Sequence, residues 1–134
     1  MSYAVSAAPD GALFAACAGQ PGAGEQGKTV ERSLNGGRTW TRGESRGIGH
    51  CGGDLGAGYL GEIAALDART VYLVGERSSL LVTHDGGAMW GMVKAVTAGT
   101  DAGTSQVLFF DRRDGLVLGV DDKPPYYPDD LVDA

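Results

Sequence analysis

The sequence predicts an all-β fold, and three observations carry that prediction. Glycine is abundant, with 23 Gly in 134 residues against only 5 Pro. The glycines separate short stretches rich in Val, Leu, Tyr and Phe, where they read as turns between strands. No stretch shows the helical 3.6-residue period over about ten residues. The nearest candidate, GEIAALDA (Gly61 to Ala68), is short and runs straight into β-branched sequence. Finally, one octet is written twice, as SLNGGRTW from Ser33 to Trp40 and as THDGGAMW from Thr83 to Trp90.

The elements follow from that repeat. ALDARTVYLVG (Ala65 to Gly75) precedes the second octet, and FFDRRDGLVLG (Phe109 to Gly119) follows it. Each sets an Asp behind a large apolar residue, then a turn, an alternating strand and a closing Gly. AAPDGALFAAC (Ala7 to Cys17) is a looser copy with Asp10-Gly11 as its turn. The unit is therefore strand, turn, strand (Val71 to Gly75), turn, strand (Leu80 to Thr83), Asp-Gly-Gly turn, and a strand starting near Trp90. The octets stand 50 residues apart and the strand copies 44 apart. Four short strands every ~40–50 residues is the period of a propeller blade. The expected division is a single domain, 1–134, with blade one at about 3–45, blade two at about 58–95 and a partial blade three at about 105–134.

The octet has a physical logic. A tight hairpin needs residues that tolerate positive φ, which Asn-Gly and Asp-Gly supply. The side chains of Asn35 and Asp85 accept hydrogen bonds from their own turns, and Ser33 and Thr83 close the same ring. Trp40 and Trp90 then cover the hairpins, so both are expected to be largely buried. Gly37 and Gly87 complete the pattern.

These residues resemble the Asp-box, or BNR, repeat, whose pattern is Ser/Thr-x-Asp-x-Gly-x-Thr-Trp. SLNGGRTW matches with Asn35 in place of Asp, and THDGGAMW with Met89 in place of Thr. The wider pattern over residues 5–120 is similar to BNR-like propellers. That group includes sialidases, xyloglucan-type glycoside hydrolases, sortilin-type receptors and the photosystem II stability factor. LFAACAGQ and KTVERSLNGGRTW are similar to bacterial members, which are commonly exported. The resemblance implies a partial β-propeller with two four-stranded antiparallel blades and the start of a third. It leaves function open, because the box is a structural turn of enzymes and non-enzymes alike. A third box is expected near residue 129, where PDDLVDA stands without Gly-Gly or Trp. The expectation is a part of a larger propeller, or a chain that self-associates. Val107, Leu108, Phe109 and Phe110 form the expected sticky segment.

Composition narrows the partners. The net charge is −6 and no Lys/Arg run exists, which argues against nucleic acid. No apolar stretch approaches the ~20 residues of a membrane span. The start, MSYAVSAAPDG, shows no charged n-region followed by an apolar h-region, so no signal peptide is expected there. Cys17 and Cys51 fit two buried thiols or one disulfide; spacing does not decide, and thiols are the favoured expectation. No metal or other cofactor is expected, since His50 and His84 are not at ligand spacing with both cysteines.

Catalytic readings meet a structural reading at each position. Arg69, Arg77, Arg112 and Arg113 do not form the arginine cluster a sialidase would need, and read as solvated loop residues. Asp54, Glu62, Asp67 and Asp111 are the carboxylates a glycosidase pair would draw on. Asp67 and Asp111 occupy equivalent repeat positions, which points to turn capping. The glycine-rich HCGGDLGAGYLGE (His50 to Glu62) lacks the Lys and helix of a phosphate cradle. It reads as the loop entering blade two and as the leading contact surface, with His50, Asp54, Tyr59 and Glu62. DDKPPYYPDD (Asp121 to Asp130) adds Tyr126 and Tyr127, rings able to stack on a sugar. The expected function is a non-catalytic propeller scaffold or binding module with a glycan or protein ligand. A glycoside hydrolase fragment is the alternative.

Overall fold

A computed structural model describes residues 2–22, 26–42, 55, 58–75, 80–93 and 102–121. Ten strands run through them: β1 (Ser2–Ala7), β2 (Leu13–Ala18), β3 (Lys28–Ser33), β4 (Thr41–Arg42), β5 (Glu62–Ala65), β6 (Val71–Val74), β7 (Leu81–Thr83), β8 (Gly91–Met92), β9 (Ala102–Phe109) and β10 (Gly115–Asp121). Blade one is an antiparallel sheet in the order β1-β2-β3-β4, and blade two repeats it as β5-β6-β7-β8. β9 and β10 form a hairpin with a register shift between Leu118 and Gly119. No described residue is helical.

The three first hairpins share one turn. Ala8 N donates to Ala12 O at 2.8 Å, Leu66 N to Thr70 O at 2.9 Å, and Phe110 N to Asp114 O at 2.9 Å. In the second, Asp67 Oδ1 accepts the amides of Arg69 and Thr70, both at 2.7 Å. In the third, Asp111 Oδ1 accepts those of Arg113 and Asp114 at 2.7 and 2.8 Å. In the first, Asp10 Oδ1 accepts the Ala12 amide at 3.0 Å, and Gly11 takes φ 91°. A side chain that hydrogen-bonds its own backbone two or three residues on fixes such turns.

Strand alternation sorts side chains into two faces. Phe14, Ala16 and Val30 of blade one bury against Ile63, Ala65, Val71, Leu73 and Leu81 of blade two. On the opposite face of blade two, Val74 and Leu80 pack with Val107, and Tyr72 and Phe109 join at a ring separation of 4.6 Å. The expected sticky run Val107–Phe110 is thereby split. Val107 is buried and Phe109 half-buried, while Leu108 and Phe110 face out on the other side.

Hydrogen bonds reinforce the junction of blades one and two. Lys28, fully buried, donates to Gly58 O at 2.7 Å and to Gln26 O at 2.9 Å. Arg32 Nη1 donates to Ala68 O at 2.8 Å. Gln26 Oε1 accepts the Leu60 amide, Ser6 Oγ that of Ala65, and Asp10 Oδ2 that of Ala68, at 2.9, 3.0 and 2.8 Å. Farther round, Asp67 pairs with Arg112 of the β9–β10 turn.

The favoured expectation of buried thiols is corrected: Cys17 is disulfide-bonded. The one other cysteine of the sequence, Cys51, lies outside the described residues.

Candidate functional site

Both octets fold as the same closed ring. Ser33 Oγ donates to Asn35 Oδ1 at 3.0 Å and accepts the Gly37 amide at 2.9 Å. Thr83 Oγ1 donates to Asp85 Oδ1 at 2.7 Å and accepts the Gly87 amide at 2.9 Å. The amides of Thr39 and Met89 each reach the Asx oxygen at 2.9 Å. Trp40 and Trp90 close the rings by donating Nε1–H to Gly37 O and Gly87 O. Gly36, Gly37, Gly86 and Gly87 all take positive φ. The expectation of buried indoles needs correction, since Trp40 is exposed and Trp90 half-buried. Each ring lies over its own turn and gains further cover only where another blade abuts.

Three carboxyls are held below the usual carboxylate range. The Arg69 and Thr70 amides do this for Asp67, the Met89 amide and Thr83 hydroxyl for Asp85, and the Arg113 and Asp114 amides for Asp111. These groups stay ionised and occupied by turn donors, which suits capping rather than proton transfer.

Among the described residues, an open cleft lies along the first strands of the three sheets. β1, β5 and β9, with the turns that follow, line its volume of about 370 Å³. Ser6, Ile63, Leu108 and Phe110 contribute to its walls. Glu62 opens β5 at one end, and Arg112 stands in the turn at the opposite end. The cleft thus joins a floor of mixed polar and apolar groups to Glu62 at one end and to Asp111 and the Asp67–Arg112 pair at the other.

Of the residues singled out from the sequence, Glu62 lines this cleft and is half-buried. Tyr59 is half-buried in the segment leading to β5 and is not part of the lining. His50, Asp54, Tyr126 and Tyr127 lie outside the described residues. Sequence reasoning missed Ser6, and it set Arg112 aside as a solvated loop arginine. Arg112 is indeed exposed, yet it pairs with Asp67 at the cleft mouth. The available signal was the equivalence of the three Asp-bearing turns, which brings residues of distant copies to one end. Among the described residues no group of three or more His, Cys, Asp or Glu is placed to hold a metal ion. No helix among them is long and apolar enough to cross a membrane.

Two four-stranded antiparallel blades and the first hairpin of a third define an all-β, partial β-propeller. A solved structure described as YCF48 bound to D1 peptide, itself a β-propeller, matches with a TM-score of 0.54 and 22% sequence identity. The match covers 87% of this chain and 33% of that one, so the chain spans about a third of the YCF48 chain's length. No family model matches the sequence. No curated protein matches it either.

Proposed function

We propose that the chain is a non-catalytic propeller module of the Asp-box type that binds an extended segment of another protein along the cleft of β1, β5 and β9. One observation carries this reading: the cleft sets apolar side chains such as Ile63 and Leu108 between Glu62 at one end and Arg112, paired with Asp67, at the other. An extended peptide offers apolar side chains along its length and charges at either end, which is the complementary chemistry. The bound peptide in the similar YCF48 structure supports the same reading. The blade boundaries expected from the repeat, about 3–45, 58–95 and 105–134, belong to this proposal.

The test is selection of binders from a random peptide library on the immobilised chain, followed by anisotropy titration of the enriched peptides. Glu62→Lys and Arg112→Glu are each expected to weaken binding by about tenfold, as loss of a complementary charge does. No enrichment, or affinities unchanged in both variants, would overturn the proposal. The same preparation is expected to leave fluorogenic sialosides and β-glucosides intact.

A further inference from the structure

The two octets share one ring of hydrogen bonds, to which Asn35 Nδ2 adds a bond to Thr39 Oγ1 in blade one, but they have different surroundings. In blade two, Gly86 and Gly87 are buried and Trp90 packs on the core shared with blade one. The cover comes from the preceding blade, whose Arg32 lies across Gly86. In blade one, a Cβ on Gly36 would meet nothing within 4 Å, and Trp40 is 40% exposed. The strands agree with the turns. Val5, on the face of β1 turned away from blade two, is 77% exposed. At the other end of the stack, Leu108, Phe110, Leu116 and Leu118 form the outward face of β9–β10, each more than half exposed.

We propose that the outward face of β9–β10 in one copy of this chain docks on the outward face of blade one in a second copy, head to tail. The chain makes this kind of contact twice within itself. Phe14, Ala16 and Val30 present one face of a blade to Ile63, Val71 and Leu73 on the opposite face of the next. Val74 and Leu80 then do the same to Val107 and Val117. Leu116 and Leu118 continue the first kind of face, and Val5 continues the second. Each is therefore the sort of surface the other already receives inside the molecule. Such a contact is heterologous and forms a ring only if the rotation closes. Two copies bring together six first strands, within the typical 4–8 blades of a propeller. Leu13, which shares the Val5 face through the pairing of β1 with β2, stands beside the Gly37 turn that Trp40 closes, so the docked copy comes up against that ring. The docking face shares Leu108 and Phe110 with the cleft, but Val5 and Leu116, which the test alters, lie outside the cleft lining, so loss of association and loss of peptide binding are read separately.

Light scattering after size exclusion tests it, together with the fluorescence of Trp40 in a Trp90→Phe background. The chain is expected at no less than twice its 13.8 kDa, with Trp40 emission shifting to the red on dilution. Val5→Asp and Leu116→Asp are each expected to lose association when alone. An equimolar mixture of the two recovers a one-to-one complex, because one sound face of each kind remains. A wild-type monomer whose Trp40 emission ignores concentration overturns the proposal, and so do variants that keep the wild-type mass. The wild-type dilution series decides the question even if a variant fails to fold.

Discussion

The guanidinium of Arg32 lies across Gly86. It donates to Ala68 O from blade one and leaves no space on blade two for a Cβ at that position. Its repeat counterpart Gly36 has the same positive φ but open surroundings. Gly36→Ala is therefore expected to cost about 1–2 kcal/mol, the backbone strain of a left-handed residue. Gly86→Ala adds displacement of Arg32 to that strain, so its denaturation midpoint should fall further. Equal midpoints in urea would show that Arg32 does not tie the blades.

The two indoles separate in the same way. Trp90→Ala is expected to destabilise by about 3 kcal/mol, the low end for large aromatic truncations, because the ring is only half-buried. Trp40→Ala should cost clearly less when measured at high dilution, where blade one has no neighbour on that side.

Acid should weaken the fold through its turns. Asp67, Asp85 and Asp111 all have carboxyl pKa values lowered from 3.8 by amide donors. Below that value the unfolded chain takes up protons that the folded chain refuses. The stabilisation is present above about pH 4 and is lost as pH falls through the lowered values. Asp85→Asn should fold at neutral pH, since Asn35 closes the same ring with an amide. It should also reduce the loss between pH 4 and pH 2, as read by circular dichroism.

Reduction should lower the melting temperature. Non-reducing peptide mapping is expected to find Cys17 joined to Cys51, the only other cysteine. A cross-link closing a loop of about 34 residues contributes roughly 3–4 kcal/mol in the chain-entropy account. An unchanged midpoint in dithiothreitol would count against it.

The sequence foretold what is local. The octets closed as the Asn and Asp turn chemistry requires, and the capping positions of Asp67 and Asp111 followed from their place in the repeat. What it hid is relational. Ser6, Glu62 and Arg112 are far apart in the chain and line one cleft only because three copies of one turn and strand stack in register. Trp40 and Trp90 sit in near-identical octets, so their different exposure has no signature in either. Cys17 gave no clue to its oxidation, because spacing alone does not say which thiols approach.

Five ties among the described residues that cross from blade one to blade two share a grammar. In each, a side chain of the earlier blade (Ser6, Asp10, Gln26, Lys28 or Arg32) meets a main-chain group of the later one. The receiving positions, Gly58, Leu60, Ala65 and Ala68, contribute only an N–H or a C=O, which nearly every amino acid possesses. The ties themselves put no demand on the side chains of blade two, although Gly58 is held by its φ of 89° and Ala65 by its place in the core, and proline is barred wherever the N–H donates. Blade one cannot drift so freely. After an internal duplication, that asymmetry lets the later copy diverge while the seam persists, and it places the evolutionary constraint on the donor side of the junction.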